Sequence, residues 1–299
     1  MKKFKKIGLI GRPGHSGVVA SLQRLLEFLP TRKVKIVMDK ATSSLIKNHG
    51  QEVASREDLS KYCDLVVVVG GDGSMLNAAH AIATGKVPVI GVNRGRLGFL
   101  TDILPEEIDL RLGEVLDGKY SMESRFLLDL EVIHKGKSRH IGCALNDVVL
   151  HPGKAAQMIE FELFVDDLFV YSQESDGLIV ATPTGSTAYA MSAGGPIMHP
   201  SLDAIVLVPM YPHSLSSRPI VVDGDSRIRL VVAKKHSISP QLSCDGEVKF
   251  TAVPGDEIIV RKKAAPLQLV HPLDHSFYEA CRSKLGWGNL LIKKDDQEG

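Results

Sequence analysis

The first third of the chain alternates short apolar runs with amphipathic stretches. Apolar runs predict four strands, at 7–10, 34–38, 65–69 and 87–92. Apolar positions at helical spacing predict helices between and after them, beginning near Val18, spanning 41–49 and 74–84, and beginning again at Pro105. Strands that alternate with helices favour a parallel sheet covered by helices on both faces.

The pattern changes near residue 126, where short apolar stretches follow one another with only turn residues between them. They predict strands at 126–134, 139–150, 157–165, 168–173, 177–182, 203–208, 219–222, 227–233, 241–250, 256–262 and 266–270. This spacing favours an all-β second domain, with sheet packed on sheet. A helical pattern returns at 275–285, and we expect this helix to pack on the first domain.

The predicted fold class is therefore α/β. An N-terminal Rossmann-like three-layer α/β domain comprises residues 1–122 and 272–299. An all-β, sandwich-like domain comprises residues 123–271. The polar tail at 293–299 is expected to be disordered.

Composition narrows the class of protein but names no function. The 299 residues carry a formal net charge of +1, with 44% hydrophobic and 24% charged residues, as is ordinary for a soluble globular protein. A balanced charge and the absence of a ~20-residue apolar run argue against nucleic-acid and membrane partners. Four scattered cysteines without a C-x-x-C pair predict free thiols in the cytoplasm and no zinc site. Pro272 argues against a helical metal face formed by His271 and His275, so no metal ligand is predicted.

A glycine-rich loop follows the most apolar strand, Val66 to Val69, and reads Gly70-Gly71-Asp72-Gly73-Ser74. The N–H groups at the start of the next helix, predicted to be capped by Ser74, favour an anion. Asp72 would repel a phosphate, so it either holds a metal ion or accepts a proton from a hydroxyl. The remaining alternative is a plain turn in which Asp72 caps the helix.

A second candidate site interrupts the β pattern. Residues 182–196 read T-P-T-G-S-T-A-Y-A-M-S-A-G-G-P, in which a turn opens a short helix and Gly-Gly-Pro ends it. Residues this small predict either a close helix contact or a ligand surface formed by backbone. Asn146-Asp147 lies inside an apolar strand and indicates either a ligand or a bulge. Asp176-Gly177 and Asp245-Gly246 indicate either ligand contacts or simple turns.

These motifs together resemble a known family. Gly70 to Gly73, the segment N-R-G-R-L-G-F-L at 93–100, Asn146-Asp147, and the stretch from Ser175 to Pro196 occur in the order and spacing of bacterial NAD kinases. The resemblance covers nearly the whole chain. A G-G-D-G loop alone is less specific, because lipid kinases and phosphofructokinases carry similar loops; T-P-T-G-S-T-A-Y is much more specific.

The resemblance implies transfer of the terminal phosphoryl of ATP to the adenosine-ribose 2′-hydroxyl of NAD, giving NADP. It implies a divalent metal ion, usually magnesium, and a cytoplasmic homodimer or homotetramer. Asp72 is then the proton acceptor. The implied NAD-binding residues are Asp72, Gly73, Asn146, Asp147, Glu174, Asp176, Thr187, Ala188, Tyr189, Ala190, Met191 and Ser192. The implied phosphate-binding residues are Gly70, Gly71, Gly73, Ser74 and Arg94, with Arg96 as a further candidate.

One position departs from the family pattern. Strictly ATP-dependent members often carry a basic residue where this chain has Glu174, and members that also use polyphosphate carry a small one. Because an acidic side chain repels a polyanion, we expect ATP to be preferred. Two other functions compete: a pyridine-nucleotide-binding regulator, which would not need Asp72, and a lipid or sugar kinase, against which the 182–189 segment argues.

Overall fold

The computed structural model describes residues 3–14, 16–83, 85–94, 98–154, 157–234 and 238–287. The chain divides into two compact units, one made of residues 1–124 and 267–299 and the other of residues 125–266.

The described residues form strands and helices that we number in chain order. The strands are β1 Lys6–Gly11, β2 Lys35–Asp39, β3 Glu52–Ala54, β4 Leu65–Val69, β5 Val89–Val92, β6 Ser121–Arg125, β7 Leu128–His134, β8 Lys137–Ala144, β9 Asp147–His151, β10 Ile159–Val165, β11 Leu168–Ser175, β12 Gly177–Ala181, β13 Ala204–Met210, β14 Ile220–Asp223, β15 Ile228–Val232, β16 Gln241–Cys244, β17 Glu247–Thr251, β18 Glu257–Lys262 and β19 Leu267–His271. The helices are α1 Ser16–Thr31, α2 Lys40–Ser43, α3 Arg56–Tyr62, α4 Asp72–Ile82, α5 Ile108–Leu116, α6 Tyr189–Ser192 and α7 Phe277–Leu285.

The first unit is built on a seven-stranded sheet with the order β3-β2-β1-β4-β5-β19-β6. Strands β1 to β5 pair in parallel, and β19 pairs in parallel with β5. The central strand β4 is fully buried, as its run of β-branched residues predicts for a strand covered on both faces. Parallel strands bring the loops at their carboxyl ends to one edge, which is where ligands of such sheets bind.

Five elements of this unit differ from the prediction made from the sequence. The edge strands β3 and β6 and the helix α3 were not predicted, because each is short and carries little apolar periodicity. A helix was predicted at 41–49, whereas α2 ends at Ser43. The strand predicted at 266–270 was assigned to the all-β domain, whereas β19 lies in the parallel sheet of the first unit. A five-residue apolar strand does not reveal which sheet it joins.

The second unit contains two antiparallel six-stranded sheets, with the orders β11-β10-β15-β18-β7-β8 and β14-β13-β12-β9-β16-β17. Alternate side chains of strands from both sheets form one apolar cluster, which includes Leu130, Phe161, Leu178 and Leu230. This shared core makes the unit a β-sandwich. A smaller cluster on Val149, Ile179 and Val208 holds the buried Ala190 of α6.

Two hairpin turns of this unit follow local sequence signals. Asp166 and Asp167 both have positive φ, at 50° and 63°, between β10 and β11, as a two-residue hairpin turn requires. Asp245 and Gly246 have φ of 50° and 81° and join β16 to β17, so the strand predicted at 241–250 is in fact a hairpin.

The C-terminal helix α7 belongs to the first unit. Phe277 packs against Phe99 with ring centroids 6.3 Å apart, and Asp274 pairs with Arg111 of α5 at 2.6 Å. Within the residues described, no helix is long and apolar enough to cross a membrane. The tail at 293–299 lies outside the described residues.

Candidate active site

Asp72 is the first residue of α4, and its carboxylate bonds to a neighbouring turn. Oδ2 accepts the backbone N–H of Phe99 at 3.1 Å, and Oδ1 accepts that of Leu100 at 3.1 Å. The hydroxyl of Thr101 lies 3.5 Å from Oδ1. We call residues 98–101 the clamp turn. These bonds fix the direction of the carboxylate, so Asp72 does not serve as a cap for its own helix.

The N-cap of α4 is Gly71, without a side-chain bond, and not Ser74 as the sequence predicted. Helix formation begins three residues earlier because Gly70 lets the chain turn. A Cβ on Gly70 would lie 2.2 Å from Oγ of Ser74, and its φ of +158° is rarely adopted by other residues. Ser74 is thereby buried inside the turn, while Gly73 is exposed at its surface.

A cavity of about 590 Å³ elsewhere in the unit has acidic walls, whereas the cavity beside the glycine loop, of about 320 Å³, has basic ones. The latter is lined by Arg12, Arg56, Gly73, Ser74 and Asn77, among others. Two guanidinium groups beside a helix N-terminus suit an anion. Arg56 is held by Asp39 and Asn77, which fixes its position.

The residues around this cavity show whether a magnesium ion would fit there. The described lining of this cavity includes no carboxylate, and the nearby Asp72 already accepts bonds on both oxygens. A carboxylate has about four acceptor sites, so Asp72 retains some capacity. Magnesium in phosphoryl-transfer sites is commonly held by one or two carboxylates and the substrate phosphates. The residues therefore fit a magnesium ion that arrives with a polyphosphate, and not a cage made by protein alone.

The main role of the segment at 93–100 is to hold the Asp72 carboxylate in place, and not to add charge to the site. Asn93 is buried and donates from Nδ2 to Oγ1 of Thr101 at 2.9 Å, so the clamp turn is held from behind. Arg94 is exposed. Arg96, the other arginine proposed from the sequence, lies outside the described residues.

In the second unit, Asn146 and Asp147 line a cavity of about 460 Å³ together with Ala188, Tyr189 and Asp245. The backbone N–H groups of Leu145, Asn146 and Asp147 all donate to the Asp245 carboxylate, at 2.8 to 3.1 Å. Asp245 is thus both a turn residue and the group that holds the Asn-Asp pair. The Asp147 side chain is left without a hydrogen bond among the contacts described, and it faces the cavity.

Burial, with the nearby charge of Asp245 as a smaller cause, raises the pKa of Asp147 to about 7. A buried carboxyl that ionises with difficulty is stabilised in its charged form by donors such as hydroxyl or amino groups. The cavity therefore offers an acceptor that a ligand rich in such donors would satisfy.

The 182–189 segment serves both purposes that the sequence left open. Its first half is packing: Thr182 donates to the carbonyl of Leu145 at 2.6 Å, Ser186 donates to that of Pro183, and a Cβ on Gly185 would lie 2.1 Å from the carbonyl oxygen of Asn146. Its second half is surface: Ala188 and Tyr189 line the cavity, and Tyr189 is 47% exposed.

The structure does not gather all the proposed NAD-binding residues in this cavity. Glu174 lines a separate cavity of about 520 Å³ with His213 and Arg218. Ser192 lines a third one with Tyr189. Ala190 is fully buried, so only its backbone is available to a ligand. Asp176 and Thr187 are half-buried, as is Met191.

One cluster of polar side chains was not predicted from the sequence at all. Asp102, His271 and His275 are the described residues whose metal-binding atoms lie within 4.8 Å of one another. His271 Nδ1 hydrogen-bonds to Oδ2 of Asp102, and His275 Nδ1 lies 3.1 Å from Oδ1. The two imidazole rings stack with their centroids 3.9 Å apart. Their nitrogen lone pairs are therefore parallel and do not converge on one ion. The arrangement favours an ion-paired cluster.

A doubly wound sheet with a glycine loop at a strand end, joined in sequence to a β-sandwich with a polar cavity, defines a nucleotide-binding enzyme. Residues 7–120 match the family model described as the ATP-NAD kinase N-terminal domain, and residues 145–272 match that of the ATP-NAD kinase C-terminal domain. The chain is 60% identical over 291 residues to an NAD kinase of Azotobacter vinelandii, covering 97% of this chain and 99% of that protein. It is 58% identical to an NAD kinase of Ectopseudomonas mendocina over the same shares.

Two solved structures are also similar to this chain. Yeast NADH kinase complexed with NADH has a TM-score of 0.88 and 25% identity, over 96% of this chain and 89% of that one. An NAD kinase from Archaeoglobus fulgidus in complex with ATP has a TM-score of 0.71 and 25% identity, over 96% of this chain and 98% of that one. The chain belongs to the NAD kinase family. Its activity is phosphoryl transfer from ATP to NAD, which confirms the resemblance found in the sequence.

Proposed function

We propose that Asp72 is the general base of this reaction and takes the proton of the adenosine-ribose 2′-hydroxyl as the terminal phosphoryl of ATP is transferred, giving NADP. The observation that carries the proposal is the fixed carboxylate. It is aimed by the clamp turn and is not used as a helix cap. A ribose hydroxyl is a poor nucleophile, and a placed carboxylate assists it by removing its proton.

NAD is bound in this proposal through the Asn146-Asp147 pair and the segment from Thr187 to Ser192. The raised pKa of Asp147 supports this assignment, because ribose hydroxyls or an adenine amino group would stabilise the charged carboxylate. Tyr189 offers an exposed ring on which a planar base can stack. The similar yeast protein forms a complex with NADH, which supports a dinucleotide as the ligand class.

The phosphates of ATP bind at the glycine loop, through Gly70, Gly71, Gly73 and Ser74, with Arg94 nearby. The basic cavity beside Gly73 supports this assignment. A magnesium ion held by the phosphates would neutralise charge on the transferring group. The chain's own part is to position the acceptor hydroxyl and to receive its proton.

The test is Asp72→Asn, compared with Asp256→Asn. Asp256 is buried and also accepts a backbone N–H, from Val253, so it reports the cost of losing a hydrogen-bonded carboxylate outside the proposed site. If Asp72 is the base, kcat falls about 10²–10⁴-fold while the Kd for NAD changes little. Asp256→Asn lowers the melting temperature and leaves kcat unchanged.

Two other results would point elsewhere. If Asp72 only holds the metal, added magnesium restores part of the rate of Asp72→Asn. If kcat stays near that of the wild type and only the melting temperature falls, Asp72 is structural and the proposal is wrong. A magnesium titration, direct NAD binding and a melting curve separate these cases.

We further propose a cytoplasmic homo-oligomer. All four cysteines are free, which suits a reducing compartment. Leu168, Phe169 and Val170 are exposed on β11, the edge strand of its sheet, where a second copy would cover them. Light scattering at micromolar concentration tests the oligomer, and a monomer would contradict it.

A further inference from the structure

The clamp turn that aims Asp72 is itself anchored by the residue that follows it. Thr101 faces the Asp72 carboxylate, and the next residue, Asp102, turns a largely buried carboxylate to His271 and His275. Ile103 then pairs with β5: its N–H donates to Gly91, and its carbonyl accepts from Asn93. The turn is therefore tied by backbone to β5 and by a single side chain to the histidines.

We propose that His271 is a positioning residue of the reaction, which holds Asp102 and thereby sets the clamp turn that aims the Asp72 carboxylate. His271 is the last residue of β19 and is 2% exposed. Its Nδ1 bonds to Asp102, and its Nε2 lies 3.2 Å from Oε2 of Glu123 on β6. This inference rests on the role of Asp72 proposed above.

The charges of the cluster make this anchor strong. Burial alone would lower the pKa of His271, but the hydrogen bonds and charges of Asp102 and Glu123 raise it to about 9. Burial alone would raise the pKa of Asp102, but the two histidines lower it to about 2. The imidazolium makes a charge-assisted hydrogen bond through Nδ1 to Asp102, stronger than a neutral one, and pairs through Nε2 with the charge of Glu123. Removing one partner leaves a buried charge without compensation.

The displacement needed to impair the reaction is small. A misplacement of about 1 Å at a reacting group costs up to about 10²-fold in rate. If Asp102 is released, the turn keeps its backbone bonds to β5 and the protein stays folded, while the N–H groups of Phe99 and Leu100 lose their fixed aim at Asp72. The loss falls on kcat, because neither histidine touches a substrate in this proposal.

Two substitutions of His271 distinguish the loss of its hydrogen bond to Asp102 from the loss of its side-chain volume. His271→Leu removes both ring nitrogens, whereas His271→Asn places an amide N–H near the position of Nδ1 and keeps a donor for Asp102. We expect His271→Leu to lower kcat about ten- to a hundredfold with KM values changed less than about threefold, and His271→Asn to recover most of the rate.

The matched control is His134→Leu. His134 Nδ1 lies 2.6 Å from the buried carboxylate of Asp256, and both residues belong to the second unit, so this variant breaks a similar histidine–aspartate pair outside the unit that carries Asp72. We expect its kcat to stay within about twofold of the wild type. If His271→Leu yields no folded protein, His275→Leu removes the more exposed ion-pair partner of Asp102, and we expect it to lower kcat as well.

The deciding experiment repeats His271→Leu in the Asp72→Asn background. Residues that act through one another are non-additive, so the second substitution should then lower kcat less than about twofold. The same fold loss in both backgrounds, or a wild-type kcat for folded His271→Leu, would overturn the positioning role. A wild-type kcat for Asp72→Asn alone would instead overturn the proposed base, so the two failures are distinguishable.

Discussion

Gly98 leaves open the space in which the carboxylate of Asp72 lies. A Cβ on Gly98 would be 2.3 Å from Oδ1 of Asp72 and 2.4 Å from Oγ1 of Thr101. The conflict is with the ends of two side chains and not with backbone. A larger residue at this position therefore displaces the carboxylate before it displaces the fold.

We expect Gly98→Ala to lower kcat by at least about tenfold, because Asp72 must rotate away from the clamp turn. Stability should fall by only about 1–2 kcal/mol, which a melting curve reports. Gly17→Ala is the control, since a Cβ there meets nothing within 4 Å. Equal kcat values for both variants would show that the direction of the carboxylate does not matter.

The basic cavity gives a prediction for the donor. Arg12 Nη1 lies 3.9 Å from where a Cβ of Gly73 would be, at the mouth of the glycine loop. Arg12→Gln removes one positive charge from the proposed phosphate site, so KM for ATP should rise about tenfold while KM for NAD stays within about twofold. Arg24→Gln, which breaks a surface pair with Asp109, should change neither constant. A rise in KM for NAD alone would assign Arg12 to the other substrate.

Glu174 gives a prediction for donor choice. It is exposed, and Glu160 lies directly opposite it on β10, so two carboxylates stand side by side on this sheet. We expect ATP to be used much faster than polyphosphate at matched phosphate concentration. Glu174→Gly should raise the polyphosphate rate because one repelling charge is removed. Equal wild-type rates with both donors would contradict this, and the exposed substitution Glu162→Gln serves as the control.

The raised pKa of Asp147 predicts how stability depends on pH. Because the folded pKa, about 7, exceeds the ordinary value of 3.8, the folded state binds the proton more tightly than the unfolded state. Stability contributed by the neutral form is therefore lost as the pH rises from about 4 to 7. Asp147→Asn should raise the free energy of unfolding at pH 8 by on the order of 1–4 kcal/mol, and by little at pH 4.

Urea unfolding at both pH values, without NAD, measures this difference. The exposed Asp225→Asn should show no such pH dependence. An Asp147→Asn midpoint that exceeds the wild type equally at both pH values would mean that the carboxyl is not the titrating group. The same variant should bind NAD more weakly at pH 8, because a charged acceptor has been removed.

The parts of the site that could be predicted from the sequence are those encoded by neighbouring residues. The glycine loop, the Asn146-Asp147 pair and the 182–189 segment each show their chemistry within a few positions. Asp245 stabilises the Asn-Asp pair from about 100 positions away, and only the pairing of β16 with β9 brings it there. The local sequence could therefore predict only the hairpin turn at Asp245, which was one of the two roles considered for this residue.

The histidine cluster was missed for a similar reason. Pro272 excludes a helical face shared by His271 and His275, but His271 ends a strand and His275 lies in a turn before α7. Their common partner, Asp102, is 169 positions from His271. The periodicity of the sequence cannot reveal a contact that forms only because the chain returns to its first sheet.

The return of the chain to its first sheet at β19 affects the order in which the two units are completed during synthesis. Strand β19 lies between β5 and β6 in the first sheet, so this sheet lacks an inner strand until residues 267–271 have left the ribosome. The sandwich, residues 125–266, is continuous and complete before that point. His271, which ends β19, is made later than Asp72, the clamp turn and Asp102. A truncated chain would thus carry the glycine loop and the cavity lined by Asn146 and Asp147 and still lack the anchor of its proposed base.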